Sequence, residues 1–327
     1  MKKLILSACF MALVFGCARI IPRPSPEFMF SYKDFPETAH IHNVQGCAID
    51  QGYFFSLEDK GWCNVFDLRV NEPVAHFPLG SYGKQNHANI AFFGPYRYDS
   101  SDKFPLLYVS QCKSKLVKEI GLPETDSLSR LLFVERLLTD ESGIPFGSEL
   151  VQLVHYDPVQ WNSRLWVYDP EVPSEIWCYG NTIGNCEKGN HIVLKKFQFP
   201  EFSPDKFLVE LRDSNVVEEL NFDDLLPEGA RGPQNAVLQG AFIRDGILFL
   251  PCGVGSEEHP SELFFAGLPG TRHYGKYRAF DYTDVMPCEP EDLDIWDGWL
   301  YCPCNTDSAA CVYRLPYKDL ARTMVRK

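Results

Sequence analysis

One short sentence is written twice in this chain. Gln45 to Phe55 reads QGCAIDQGYFF, and Gln239 to Phe249 reads QGAFIRDGILF, aligned without a gap. Gln45 falls on Gln239, Gly46 on Gly240, Ile49 on Ile243, Gly52 on Gly246 and Phe55 on Phe249. A third copy, EDLDIWDGWLY, spans Glu291 to Tyr301 and puts Gly298 at the same turn position. Each copy has a partly polar start, a short alternating apolar run, a turn with Asp and Gly, and an aromatic-rich run. Asp-Gly between two β-like runs signals a tight hairpin. Two weaker copies carry longer turns. His87 to Gln111 has an insertion, and Arg164 to Gly180 replaces Asp-Gly with a Pro-containing turn.

The hairpins begin near residues 44, 88, 164, 238 and 290, and further β-like runs follow each of them. WCNVFDL and PVAHFPL follow the first; SELFFAGL and KYRAFDY follow the fourth. No long segment shows sustained 3.6-residue periodicity. LSRLLFVERLL reads as a strand or a short helix, and the final YKDLARTMVRK as a turn or two of helix. Four-stranded antiparallel units recurring every roughly 45–75 residues specify an all-β fold, a β-propeller with one unit per blade. Five blades are expected. A sixth would require the long third unit, Arg164 to Phe222, to hold two short sheets. The fifth unit supplies only three strands. The missing one lies at the other end, in EFMFSY (Glu27 to Tyr32), so the N-terminal strand should close the ring and remove an open sheet edge. A pair of β-sandwiches would match the strand number but not the fivefold recurrence.

The N-terminus precedes this domain. Lys2 and Lys3 are followed by the apolar LILSACFMALVF and then by VFGC, ending at Cys17. A branched residue, a small residue and Cys in that order resemble a bacterial lipobox. The resemblance implies a signal peptide over residues 1–16, cleavage before Cys17 and a lipid on its sulfur; an ordinary secretory peptide with an incidental Cys is the alternative. Residues 17–26 read as a Pro-rich, extended tether, and residues 27–327 as a single propeller domain. Lipobox, tether and repeated hairpins together resemble the exported β-propeller lipoproteins of gut-type bacteria. The likeness covers the whole mature chain at the level of architecture, and implies a lipid-anchored protein of the bacterial cell envelope, at the outer membrane. Ala18-Arg19-Ile20 lacks the acidic stretch linked to surface display, which favours the periplasmic face without fixing it.

Composition narrows the partners. The chain carries 31 basic and 44 acidic residues, a net charge of −13, which argues against nucleic acid. Of its twelve Cys, ten remain beyond Cys9 and Cys17, and their positions inside apolar β-like strings suit buried thiols as well as disulfides. The CPC of Cys302 and Cys304 matches no usual zinc spacing, and His40 and His42 are only an alternating pair. No phosphate loop, dinucleotide fingerprint or calcium loop is present. No metal and no cofactor is expected.

A propeller's first strands line its central channel. Aligning the hairpins places one polar residue at the same point of every blade: Gln45, Asn89, Arg164, Gln239 and Glu291. Two residues earlier, on the same strand face, stand Asn43, His87, Asn162, Val237 and Glu289. Such a ring of amides with one Arg and a few carboxylates is a hydrogen-bonding funnel suited to hydroxyl-rich ligands such as glycans, with Arg164 able to grip a carboxylate or sulfate. It is equally suited to satisfying strand edges and channel water. The first reading is therefore a non-catalytic binding or scaffolding protein for a glycan or an envelope protein. The alternative is a polysaccharide-active hydrolase or lyase using His87, Glu289 and Glu291. Glu289 and Glu291 share a strand face about 7 Å apart, and Asp292 and Asp294 share the other. The lipobox reading is checked by phase partitioning of cell extracts. The intact chain should enter the detergent phase and Cys17→Ser should not; equal partitioning of the two would end that reading.

Overall fold

The repeated pairs do make tight turns. Gln51-Gly52, Asp245-Gly246 and Asp297-Gly298 have φ of 50° and 79°, 54° and 71°, and 47° and 80°. Positive φ at both central residues defines the turn whose twist matches that of two antiparallel strands. In the first copy the turn residues are Gln51 and Gly52, so Asp50 is left at the end of its strand, paired with Tyr53.

The computed structural model describes residues 21–41, 43–82, 87–111, 131–156, 161 and 165–325. Cys17, His42, Cys112, Asn162 and Arg164 lie outside the described residues, as does the signal segment. The hairpins open five antiparallel sheets arranged in a ring, a five-bladed β-propeller. Blade 1 runs Val44–Asp50, Tyr53–Glu58, Trp62–Asp67 and Glu72–Pro78. Blade 2 runs Ile90–Phe93, Leu107–Ser110, Leu131–Thr139 and Pro145–Tyr156, so the ambiguous LLFVERLL segment is strand. Blade 3 runs Leu165–Val167, Glu175–Asn181, Ile192–Gln198 and Val216–Asn221; blade 4 runs Phe242–Arg244, Ile247–Cys252, Glu262–Gly267 and Tyr277–Asp281. Blade 5 takes its inner strand from Glu289–Pro290 and Asp294–Trp296, then Trp299–Asn305 and Ala310–Pro316, and is completed by Glu27–Ser31. Phe30 pairs with Val312, closing the ring between the two ends of the chain. A short helix, Tyr317–Thr323, follows. Among the described residues no helix is long and apolar enough to cross a membrane.

The long third unit does not hide a sixth sheet. Its extra segment, Leu208–Leu211, crosses back and pairs in parallel with Pro145–Tyr156 at the outer edge of blade 2. That edge strand is twelve residues long, and a long bare edge invites pairing with other chains. The inserted segment covers part of it.

Blades are held to one another by apolar packing. One buried cluster spans blades 2, 3 and 4, with Trp166 set against Tyr156 and Phe197. Others fill the seams between blades 1 and 2, 4 and 5, and 5 and 1. Four of the five seams are also stitched by a polar side chain reaching the backbone of the next blade. Glu135 accepts from the amides of Gly80 and Ser81, and Ser110 Oγ from Trp166 N at 3.0 Å. Asp169 accepts from Gly246 N, and Asn305 bonds both N–H and C=O of Val44.

The densest stitch is at the axis. Asp292 occupies the point in blade 5 where blades 1 and 4 carry Gly46 and Gly240. Its Oδ2 accepts from Cys47 N of blade 1 at 2.9 Å and Ala91 N of blade 2 at 3.1 Å. The carboxylate lies against Gly240 of blade 4, where an added Cβ would stand 2.6 Å from Asp292 Oδ1 and 2.4 Å from the Glu291 carbonyl. Gly46 is equally confined, with its Cβ position 2.6 Å from the Ala88 carbonyl. The Gly that follows Gln in the repeat is thus required by the close approach of neighbouring inner strands. Asp292→Ala strands two buried amides and should cost about 2–4 kcal/mol in urea unfolding. Asp292→Asn keeps an acceptor oxygen and should cost clearly less; equal losses for the two would remove the hydrogen bonds as the cause.

Candidate functional site

At the mouth, where the inner strands start, the residues expected to line an open funnel are largely buried. Gln45, Asn89, Gln239 and Glu291 are only 6, 4, 8 and 1% exposed. Several of them bond in a chain that crosses three blades. Gln45 Nε2 donates to Asn43 Oδ1 at 3.2 Å. Asn305 Nδ2 approaches Asn43 Oδ1 at 3.5 Å and donates to Glu291 Oε1 at 2.6 Å. Glu291 and Glu289 hydrogen-bond to each other, and Gln239 Nε2 donates to Glu289 Oε1 at 2.6 Å. Strand geometry sets the two Glu backbones about 7 Å apart, yet their side chains lean together. A shared proton spares one of the two buried negative charges. Burial pushes both carboxyls above the ordinary range, Glu291 strongly, with Glu289 as the next cause for Glu291. Asn305, on the second strand of blade 5, was not legible as part of this network: nothing in its local sequence distinguishes it.

His87 does not join Glu289 and Glu291. Its Nδ1 meets Asp59, from the turn after the second strand of blade 1, and its backbone N–H donates to Gln111 Oε1 at 2.7 Å. Asn43 is exposed at the rim, with His87 and Glu289 half-buried behind it. Val237, the apolar member of that outer set, is half-buried and precedes blade 4.

The opposite end of the axis differs. On the hairpin face a cavity of about 290 Å³ is lined by the second halves of all five inner strands. Ala91 and Ala241 leave its space, and Ile49, Phe92, Phe242 and Leu293 give it apolar walls. Three charged side chains reach it: Asp50 from blade 1, Arg244 from blade 4 and Asp294 from blade 5. Asp294 shares a face with Asp292, as the alternation requires, and accepts from the amides of Ile49 and Ile295. Burial raises its carboxyl to about 7, against those two hydrogen bonds, and Asp50 adds to the rise. Burial also raises Asp50, with Gln51, Arg97 and Lys103 working the other way. Arg244 is held by Glu171 of blade 3 at 2.7 Å. Apolar walls with a few convergent polar groups, at the small end of the usual volume range, describe a small-molecule site. Asp50 ends its strand, paired with Tyr53, and its position outside the turn puts it here.

The remaining aromatic and His side chains near the hairpins are engaged in packing. Trp62 lies 4.6 Å from the His76 ring, Trp299 carries the Arg314 guanidinium at 4.1 Å, and Trp161 abuts Tyr156. His40 faces His76. The nine described cysteines form no disulfide with one another, and all but Cys186 are buried. Among the described residues no group of three or more His, Cys, Asp or Glu is placed to hold a metal ion.

The buried carboxyls fix the sign of a pH dependence. A group whose proton is held more tightly in the folded chain stabilises the fold below its unfolded value and loses that contribution as pH rises through the folded one. For Asp294 the window runs from about 4, its ordinary value, to about 7. Urea midpoints should therefore fall between about pH 4 and pH 7, and Asp294→Asn should flatten the fall. A midpoint that rises over that range would contradict the assignment.

No protein-family model matches this chain, and no curated protein does. Solved structures match in fold. The tail fiber of Staphylococcus aureus phage P68 aligns with a TM-score of 0.51 at 12% identity, over 93% of this chain and 56% of the fiber. The β-propeller domain of Myceliophteria thermophila Cps50 (Swd1) aligns at 0.36 and 9%, over 83% of each chain. The computationally designed Ika8 protein aligns at 0.35 and 10%, over 84% of this chain and 97% of its own. At such identities the likeness is one of fold alone.

Proposed function

We propose that this chain is a non-catalytic binding protein, anchored through a lipid on Cys17 at the bacterial envelope, that takes a small hydroxyl-rich ligand, such as a glycan end, on its axis. A propeller fold is consistent with a binding or scaffolding role. The observation that carries the choice of place is the five-blade cavity on the hairpin face. Asp50, Asp294 and Arg244 offer acceptors and donors there between apolar walls, the combination that meets a sugar's hydroxyl groups and its apolar face. The bonded part of the mouth, Gln45, Gln239 and Glu291 with Asn43, Asn305 and Glu289, serves as the floor that holds the inner strands in place. Its rim, Asn43 and His87, is the competing position.

A glycan array followed by calorimetry tests this. Arg244→Ala and Asp50→Asn should each weaken binding about tenfold or more, the loss of one charge-assisted hydrogen bond. Gln45→Ala and Arg164→Ala should bind as the parent does. Loss in the mouth variants with unchanged Arg244→Ala would move the site to the mouth; no ligand at all would sink the glycan reading.

A second reading rests on Asp294. A carboxyl poised near neutral pH beside another carboxyl is what general acid catalysis of glycoside cleavage needs. Release of reducing ends from a bound polysaccharide, abolished by Asp294→Asn or Asp50→Asn, would establish this reading over simple binding.

A further inference from the structure

The proposed ligand cavity is not the largest hollow on the hairpin face. Beside it, between blade 4 and the C-terminal helix, lies a second one of about 720 Å³. Its charge runs against the rest of the molecule. In a chain of net charge −13, the loop joining the last two strands of blade 4 brings Arg272 and Lys276 to one wall. The helix brings Lys318 and Arg322 to the other. Each wall thus offers one Arg and one Lys across a gap. Between them are Tyr317, Ala321 and Met324.

Little of this positive charge is spent within the chain. Two carboxylates are within reach. Asp245 lines the hollow but accepts from the Tyr317 hydroxyl at 2.6 Å and stands 3.9 Å from Arg272. Asp319, on the exposed side of the helix, pairs with Arg322 at 2.7 Å. Lys276 and Lys318 have no ion-pair partner among the described residues. His273 sits in the wall as a neutral acceptor: its Nε2 takes the Arg272 Nε–H at 2.9 Å, and burial, with Arg272 next, lowers its proton affinity. It therefore orients Arg272 rather than adding charge.

Four cations facing one another across an open concavity, over an apolar patch, fit a compact anion with several oxygens joined to a less polar body. We propose that this pocket binds the phosphate group of a phosphate ester, held between Arg272 and Lys276 on one side and Lys318 and Arg322 on the other. A soluble phosphate ester and a phospholipid headgroup present the same chemistry. The proposal is independent of the axial cavity and stands if that reading fails.

The test uses the full-length chain carrying Cys17→Ser, so that no acyl anchor contributes. Calorimetry with glycerol 3-phosphate forms one arm, and flotation with phosphatidylglycerol-containing vesicles against phosphatidylcholine vesicles forms the other. Lys318→Glu with Arg322→Glu reverses two exposed charges on the helix, and Arg69→Glu on blade 1 serves as a control. Binding in either arm that falls at least about tenfold in the double variant, weakens with added salt as ionic contacts do, and survives Arg69→Glu supports the proposal; the responding arm identifies the source. Binding in neither arm overturns it, and so does binding that the double variant leaves intact. Circular dichroism of the double variant separates a lost site from a lost fold, and Arg272→Ala then repeats the test from the other wall.

Discussion

The ring depends on one buried carboxylate. Asp292 sits where the inner strands converge, taking amides from blades 1 and 2 and pressing on the bare Cα of blade 4. An apolar side chain there would leave the amides of Cys47 and Ala91 without acceptors, and a larger one would push Gly240 away. Placing an acid in such a site is unfavourable in itself, since burial holds its proton affinity well above the ordinary carboxylate value. The geometry offsets this with directional bonds that one oxygen of a short side chain accepts from two strands at once. The sequence logic follows. Blades 1 and 4 yield space with Gly, and blade 5 fills it with Asp.

Much of the architecture was legible because the hairpin is a local device. A turn with two positive φ values leaves a Gly behind wherever it occurs, so Gly52, Gly246 and Gly298 mark three blades independently of any long-range contact. Closure was legible too, since blade 5 was a strand short and Glu27–Ser31 was spare. The seams were not. Asn305 with Val44, Asp169 with Gly246 and Asp292 with Cys47 join residues far apart in sequence, and no periodicity announces them. The strand Leu208–Leu211 was hidden for the same reason, as its partner belongs to the previous blade.

The site was half legible. Alignment put Gln45, Asn89, Gln239 and Glu291 at one level of the axis, but could not say whether they face solvent or one another. The bonding of Gln45, Gln239 and Glu291 is decided by Asn43, Asn305 and Glu289, which close the distances between blades. The cavity at the other end arises from what is missing: Ala91 and Ala241 stand where larger side chains would fill the bore. Small residues look unremarkable in a strand, and only the ring gives them a consequence.

Closure by the first strand also makes the circle depend on both of its ends. Phe30 pairs with Val312, so this closure needs residues from both sides of every intervening blade. Without it blade 5 has a bare edge and the adjoining seam is open. Arg23 lengthens the clasp by bonding both oxygens of Asp284 beyond blade 4. The clasp is a latch that joins strands separated by the rest of the ring. A chain truncated near its end would therefore lose the whole circle rather than one blade.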